Sequence, residues 1–250
     1  MADGTSSHHE RDGLDLDEQI AERRTTITLV RHGESEVTAA RVIGGKRTCR
    51  GLTSLGRTQA ERLEARLRDD PIGADALVAS DFARAIETAE IIRSAVGTSA
   101  ADVPLEQRPD LGEHDPGPEI DGMTFEAYVE QFGTPDWAGD RDVEIFPGGE
   151  TMRQFHDRVA RGLTQLQRDF AGRHVVVVCH GGVIDATFRI LLGLPMAGGF
   201  ELYTRNTALT EFSATDSSAT VAAPCRRERY IDAAHLAGLP EASPRRSATA

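Results

Sequence analysis

Short apolar runs alternate along the chain with longer segments in which apolar residues recur at helical spacing. TITLV (26–30) and ALVAS (76–80) are short runs bounded by charged or polar residues, and HVVVVC (174–179) is an unbroken apolar run. Runs of this kind are typical of strands, and an unbroken one is typical of a strand buried on both faces. The pattern therefore predicts three central strands, with a later strand at 207–214 and an edge strand near 219–223.

The segments between these runs have the periodicity of helices. Leu55, Leu63 and Leu67 share one face of the first segment. Thr53 is the predicted N-cap of that helix, and Asp81 is the predicted N-cap of the second, because short polar side chains bind the free amides of a first helical turn. The predicted helices cover 53–70, 81–96, 124–132, 150–170 and 182–194.

The alternation of strands and helices predicts the fold class. We expect an α/β protein with a single three-layer domain, in which a mainly parallel central sheet has helices on both faces. The domain is expected to span 26–238, with disordered tails at 1–25 and 239–250. Residues 104–147 interrupt the alternation with a stretch rich in Pro, Gly and Asp, which is either a functional lid or a loose excursion.

Composition and charge narrow the class of protein. With 250 residues, of which 39% are hydrophobic, the chain can form a full-sized core. A net charge of -12 argues against nucleic acid or an anionic membrane as the main partner, because phosphate groups would be repelled overall. A phosphorylated ligand bound to this protein must therefore meet a local basic site.

Neither export nor membrane insertion is expected. The N-terminal segment has no apolar stretch of the secretory kind, and no run elsewhere approaches the roughly 18 apolar residues of a membrane span. We therefore expect a cytoplasmic protein. The three cysteines lack the paired spacing of zinc sites or disulfide frameworks, so we expect neither a metal nor a cofactor.

Polar residues follow the three predicted central strands at their carboxyl ends. Arg31 and His32 follow the first, Ser80 the second and His180 the third. Open parallel sheets bind ligands at this edge, and Arg84 lies one turn into a helix from which its side chain can return there. Two arginines and two histidines would then converge. This set suits a tetrahedral oxyanion, because guanidinium groups bind phosphate oxygens bidentately.

Five motifs in a fixed order carry a resemblance to a known family. They are LVRHGES, GLTSLGRTQA, SDFARAIETAEII, PGGET and VVVVCHGGVI. Together these motifs, which lie within 26–213, resemble the histidine phosphatase superfamily, also called the phosphoglycerate mutase-like family. A late segment, RYIDAAHL, is similar to a C-terminal segment of some members. The resemblance implies the phosphoglycerate mutase-like α/β fold.

The resemblance also implies a role for each candidate residue. His32 would attack phosphorus and become a phosphohistidine that water hydrolyses, while Arg31, Arg84 and His180 would hold the phosphoryl oxygens. Imidazole suits this role because it is substantially neutral near pH 7, with an unperturbed pKa of about 6.5. Glu113, in DLGEHDPG, occupies the place of the family's acid that protonates the leaving group.

Departures from the family pattern leave alternatives open. His114 and Asp115 are also titratable, and either of them could replace or tune Glu113. Thr38 stands where many members have asparagine, and it either donates to phosphate through its hydroxyl or caps the local backbone. The aromatic-acid-Gly motif that usually follows the acid is present only loosely, as EIDG (119–122).

A basic loop, GGKRTCRG (44–51), stands out in this acidic chain. Lys46, Arg47 and Arg50 either steer an anionic substrate or form a solvated face. The structure is needed to distinguish these two interpretations.

The first functional interpretation is a metal-independent phosphomonoesterase that acts on a small or medium phosphorylated metabolite. The alternative is a mutase, which shares the catalytic residues, and a third is a phosphate-ligand-binding protein without turnover. The mutases of this family, as the resemblance implies, carry a longer insertion after the acid. The acidic stretch HDPGPEIDG would also repel a carboxylate-bearing phosphoglycerate, which favours the phosphatase. The sequence names no substrate and leaves the oligomeric state open, a homodimer included.

Overall fold

The fold is built on a six-stranded mixed sheet. A computed structural model describes residues 24–98, 103–198, 202–215 and 225–240. Its strands, in chain order, are β1 (Arg24–Arg31), β2 (Ala76–Ala79), β3 (Leu105–Gln107), β4 (His174–Cys179), β5 (Leu209–Thr215) and β6 (Cys225–Asp232). They lie in the order β3-β2-β4-β1-β5-β6, with parallel pairing from β3 to β1 and antiparallel pairing of β5 with its two neighbours. The predicted mainly parallel sheet is confirmed.

Helices cover both faces of this sheet. In chain order they are α1 (Glu36–Ala39), α2 (Ser54–Asp69), α3 (Ala83–Val96), α4 (Phe125–Phe132), α5 (Met152–Asp169) and α6 (Gly181–Leu192). One hydrophobic core joins the sheet to α2 and α3, and a second core joins its other face to α5 and α6. The predicted three-layer domain is therefore confirmed.

Strand β4 contributes to both cores through its alternating side chains. Val175 and Val177 belong to the core shared with α5 and α6, whereas Val176 and Val178 belong to the core shared with α2 and α3. Successive side chains on a strand point to opposite faces, so a central strand between two helix layers needs apolar residues at every position. This is why its sequence is unbroken in apolar character.

One of the two predicted N-caps is confirmed and the other is wrong. Thr53 caps α2 as predicted, since its hydroxyl accepts a hydrogen bond from the Gly56 amide at 3.0 Å. The prediction for Asp81 was wrong, because α3 begins at Ala83 with Phe82 at its N-cap. Asp81 lies one residue too early to serve as the cap, and its carboxylate instead pairs with the ammonium group of Lys46.

The 104–147 excursion packs onto the core. After β3 it contains a 3-10 turn (Pro109–Leu111) and α4. Ile120, Tyr128, Ile145 and Phe146 are buried in the core that α5 and α6 share with the sheet. Of the two interpretations of this stretch, a loose excursion is therefore wrong for the described residues.

The ends of the chain bear on two further predictions. The edge strand predicted near 219–223 lies outside the described residues, and the described edge strand is β6, followed by a 3-10 turn (Ala234–Leu236). The predicted tails also lie almost wholly outside the described ranges. Among the helices that the structure describes, none combines the length and apolar character needed to cross a membrane.

Candidate active site

The candidate site lies where three neighbouring parallel strands end. Strands β2, β4 and β1 are adjacent, and the ends of β1 and β4 are paired through Arg31 and Cys179. His32, His180 and Ser80 are the residues that follow these three strands. The topology therefore brings together groups that are distant in the sequence.

His32 is held in one tautomer by the turn that ends β1. Its side chain is 4% exposed, and Nδ1 lies 2.6 Å from the Gly33 carbonyl oxygen. A carbonyl oxygen only accepts hydrogen bonds, so the ring contacts assign the proton to Nδ1 and a lone pair to Nε2. A Cβ at Gly33 would lie 2.5 Å from the Gly56 carbonyl oxygen, so this close turn requires glycine.

Arg84 joins the two imidazole rings. It projects from the first turn of α3 and is 4% exposed. Its Nε donates to Nε2 of His32 at 3.1 Å and lies 3.3 Å from Nδ1 of His180. The two ring centroids are 5.1 Å apart. A guanidinium group thus lies between the two rings, at the place where a phosphoryl group would have to bind to reach Nε2.

His180 is fully buried and uncharged near neutral pH. Burial, together with the nearby positive charges of Arg84 and Arg31 and the ring of His32, lowers the pKa of His180 well below its usual value. Its Nδ1 faces the donor Nε of Arg84, so its Nε2 carries the proton and donates to the Ser80 hydroxyl at 2.6 Å. The ring is therefore oriented by Ser80.

The loop that precedes β5 forms hydrogen bonds with the residues at the end of β1. The Arg31 guanidinium donates to the Thr204 carbonyl, and the Arg31 carbonyl accepts from the Thr207 amide at 2.7 Å. The side-chain amide of Asn206 donates to the His32 carbonyl at 2.7 Å. Thr207 adopts a positive φ of 55°, a conformation that is costly for a β-branched residue. The loop therefore fixes both Arg31 and His32.

The Glu113 carboxyl group lies at the N-terminus of α6, beside His180. Oε2 accepts from the Gly182 amide at 3.2 Å, and Oε1 accepts from the His114 amide at 3.1 Å. A Cβ at Gly182 would lie 2.2 Å from Oε1, so a side chain at that position would displace the Glu113 carboxyl group. Arg158 fixes the backbone, because its guanidinium donates to the Glu113 carbonyl at 3.1 Å.

The two neighbours of Glu113 face away from the imidazole rings. The ring of His114 lies among Trp137, Phe146 and Phe155, with Nε2 2.9 Å from the Glu150 carbonyl. Burial lowers the pKa of His114. Asp115 is exposed, and its Oδ1 accepts from the Gly117 amide at 2.9 Å. Of the three titratable residues, Glu113 is the one whose side chain contacts the start of α6.

The remaining predicted residues lie around this centre. The Thr38 hydroxyl is 2.9 Å from the Ser35 hydroxyl, which is a local contact. In the basic loop, Lys46 pairs with Asp81 and the Arg47 guanidinium donates to backbone carbonyls. Arg50 is exposed. Only Arg50 thus resembles a purely solvated charge. No group of three or more His, Cys, Asp or Glu suited to a metal ion is found within the described ranges.

Comparison with known families identifies the superfamily of the chain. The model of the histidine phosphatase superfamily (branch 1) matches residues 27–225. The chain belongs to this superfamily. The resemblance found in the five sequence motifs is confirmed, and the histidine phosphatase superfamily comprises enzymes with phosphatase or mutase activity.

Relatives of both kinds are similar to this histidine phosphatase superfamily member. "Probable phosphoglycerate mutase GpmB" from Salmonella paratyphi C (strain RKS4594) is 32% identical over 195 residues, which cover 76% of this chain and 86% of that protein. The alpha-ribazole phosphatase from Shigella flexneri has a TM-score of 0.67 at 22% identity, covering 83% of this chain and 97% of that chain. A mycobacterial glucosyl-3-phosphoglycerate phosphatase has a TM-score of 0.65 at 24% identity, covering 84% and 100%. At these identities the two structures show the shared fold.

Several residues that build the site were not predicted from the sequence. Arg158 and Asn206 each hold the backbone of a candidate catalytic residue, but neither lies in a family motif that we recognised. The sequence signal for Arg158 was a charged residue in the amphipathic helix that follows PGGET. Asn206 immediately precedes the strand TALTEFSA, where a polar amide at a strand start is common and carries little information.

Proposed function

We propose that this protein is a metal-independent phosphomonoesterase that acts through a phosphohistidine on a small or medium phosphorylated metabolite. The single observation that carries the proposal is the state of His32. Its Nδ1 is bound to the Gly33 carbonyl, so Nε2 presents a lone pair towards Arg84 and His180. A cationic donor beside one fixed imidazole lone pair suits nucleophilic attack on phosphorus.

In the first step the Nε2 lone pair of His32 attacks phosphorus, and the bond from phosphorus to the ester oxygen breaks. That oxygen takes a proton from the acid form of Glu113 and leaves as an alcohol. Arg31 and Arg84 would bind the phosphoryl oxygens as charge develops on them, and this is the role that a metal ion fills in other phosphoryl transferases. The product is a phosphohistidine and a Glu113 carboxylate.

In the second step a water molecule attacks the phosphohistidine. Glu113, now a carboxylate, accepts a proton from that water, and the bond between nitrogen and phosphorus breaks. The electron pair returns to Nε2 and inorganic phosphate leaves. Because His180 is uncharged, it can accept a hydrogen bond from Arg84 during both steps without adding a repulsive charge beside an imidazolium.

A mutase is the second candidate, and the relative named as a phosphoglycerate mutase favours it. A mutase must keep water away from the phosphohistidine and must hold a phosphoglycerate carboxylate. The stretch that follows Glu113 carries the carboxylates of Asp115, Glu119 and Asp121 without a lysine or arginine among them. This local negative charge supports the phosphatase, because it would repel the carboxylate of a phosphoglycerate.

The two candidates separate in one set of assays. Phosphate release from a panel of phosphorylated metabolites is measured with and without a metal chelator, and exchange between 3- and 2-phosphoglycerate is measured with and without 2,3-bisphosphoglycerate. The proposal predicts phosphate release that is insensitive to chelator and faster than any isomerisation. Isomerisation that is faster than phosphate release, and stimulated by the bisphosphate, would make the mutase correct.

A further inference from the structure

Beside the candidate site lies an open cleft of about 490 Å³, lined by Lys46, Arg47, Phe82, Glu113, Asp115 and Arg158 among others. Cavities of about 300–1,000 Å³ are typical of small-molecule sites. The cleft is continuous with the site, because it contains Glu113 and because the Phe82 ring packs edge-on against His180 with centroids 4.7 Å apart. An alcohol that leaves the phosphoryl group next to Glu113 would therefore lie in this cleft.

The basic side chains of the cleft are engaged by the protein itself. Lys46 pairs with Asp81, and the Arg47 guanidinium donates to two backbone carbonyls, one of them the Asp121 carbonyl at 3.0 Å. Arg158 pairs with Glu150 at 2.7 Å, in addition to its bonds to backbone carbonyls. A second anionic group on a substrate would therefore compete with protein carboxylates and carbonyls for these side chains.

One acidic residue of the cleft, Asp115, is less engaged than Asp81 and Glu150, which pair with Lys46 and Arg158. Asp115 is exposed, and its Oδ1 accepts only the local hydrogen bond from the Gly117 amide. Within the described ranges no lysine or arginine forms an ion pair with it. A carboxylate in this state repels a ligand anion and accepts hydrogen bonds from ligand hydroxyl groups. The wall also includes Pro109 and Pro118, whose rings present apolar CH groups.

We propose that the cleft selects an uncharged, hydroxyl-bearing leaving group such as a sugar or polyol, and that Asp115 is a specificity residue that disfavours a second anionic group. This inference rests on the proposed function, since it assigns the cleft to the alcohol side of the phosphate ester. Selection then depends on repulsion as well as on fit, because the reaction at phosphorus is the same for every monoester.

A matched pair of ligands tests the proposal. sn-Glycerol 1-phosphate and D-3-phosphoglycerate have the same configuration at C2 and differ by a hydroxymethyl group in place of a carboxylate, so the phosphoryl contribution cancels in the ratio of their inhibition constants. Both are measured as competitors of p-nitrophenyl phosphate hydrolysis. The wild type should bind sn-glycerol 1-phosphate about tenfold or more tightly than D-3-phosphoglycerate, and high salt should reduce that ratio by screening.

Two variants with the same charge change complete the test. D115N should lower the ratio at least about threefold by tightening D-3-phosphoglycerate binding. D140N is the control, because Asp140 is also exposed and its Oδ1 also accepts a backbone amide two residues on, that of Asp142 at 3.0 Å. It should leave the ratio unchanged.

Three results would overturn the inference: a wild-type ratio at or below one, a ratio unaffected by D115N, or no competition by either compound. A failure of the proposed function would show separately, as wild-type hydrolysis of p-nitrophenyl phosphate no faster than that of His32→Ala. In that case calorimetric titration measures the dissociation constants of the two ligands instead. A ratio of these constants at or below one, a ratio unaffected by D115N, or no binding of either ligand would again overturn the inference.

Discussion

The buried cluster of Arg31, His32, Arg84 and His180 and the open cleft beside it are built in opposite ways. Each residue of the cluster is at most 6% exposed, and its contacts include imidazole rings, the Phe82 ring, hydroxyl groups and backbone carbonyls. In the cleft the Lys46 side chain is 63% exposed, and Lys46 and Arg158 are paired with carboxylates. The cluster concentrates positive charge out of water, whereas the cleft distributes both signs in water.

This difference separates the chemistry of the site from its choice of substrate. Electrostatic interactions are strong in the cluster because water is excluded, so changes there should affect every substrate alike. Interactions in the cleft are weaker and screened, so changes there should affect substrates according to their leaving groups. The largest effects are therefore expected in the cluster.

Removing the guanidinium group of Arg84 should have the largest effect. We expect Arg84→Ala to lower kcat/KM by about 10²–10³-fold for alkyl and aryl phosphates alike, because both need the same phosphoryl contacts. Arg93→Ala is the control, since Arg93 lies on the same helix and its Nε donates to the Val103 carbonyl at 2.8 Å. Thermal melts verify that both variants fold. A loss confined to one class of leaving group would place Arg84 with the cleft instead.

Glu113 lies where the cluster and the cleft meet, so its effect should depend on the leaving group. Glu113→Gln should lower the hydrolysis of alkyl phosphates by about 10²-fold but that of p-nitrophenyl phosphate only a few-fold, because nitrophenolate leaves without needing a proton. Glu119→Gln, an exposed change in the same segment, is the control. Equal losses for both substrates would show that Glu113 only positions other groups, and His114 or Asp115 would become the next acid to test.

A smaller effect is expected from the C-terminal 3-10 turn (Ala234–Leu236), which contacts the loop before β5. Nε2 of His235 lies 2.9 Å from the Thr207 hydroxyl, in the loop that binds Arg31 and His32. Burial and the positive charges of Arg66 and Arg205, partly offset by Asp232, lower the pKa of His235 to about 4. The unfolded chain, with a pKa near 6.5, therefore binds the proton more tightly than the folded protein.

Stability from His235 should accordingly be present above about pH 6.5 and be lost as the pH falls towards 4. Allowing for partial exposure of the ring, we expect the wild type to lose about 1 kcal/mol more than His235→Gln between pH 7 and pH 5. Urea unfolding at the two pH values measures this difference. Identical losses in the two proteins would show that protonation of His235 does not weaken the folded protein between pH 7 and pH 5.

The cluster could be predicted from the sequence because its members follow recognisable strands. Once β1, β2 and β4 are adjacent and parallel, the residues after them must meet at one edge of the sheet, whatever their separation along the chain. The motifs around His32, Arg84 and His180 therefore predicted residues that the structure brings together in the candidate site, as well as the fold. Sequence position alone did not fix the contact of Arg84 with both rings, which depends on side-chain conformation.

The surroundings of the cluster could not be predicted in the same way. Asp81 has the side chain of a good N-cap, but its carboxylate instead pairs with Lys46, which is 35 residues away along the chain. Likewise, Asn206 binds the His32 carbonyl across 174 residues. Such contacts depend on how loops pack after the sheet has formed, and local patterns of residue type do not encode them. The cleft is made largely of these loops.

The most direct test of the central claim is to trap the covalent intermediate. Wild-type protein is mixed with a phosphorylated substrate, quenched within the turnover time and analysed for phosphate bound to protein, with His32→Ala and the remote His174→Gln as matched variants. We expect an acid-labile, base-stable phosphoenzyme in the wild type and in His174→Gln, localised to His32, and none in His32→Ala. The His32→Ala protein should also lose at least about 10³-fold in turnover, since no other nucleophile replaces the imidazole. A folded His32→Ala protein with activity within about tenfold of the wild type, or with the same phosphoenzyme, would contradict the account.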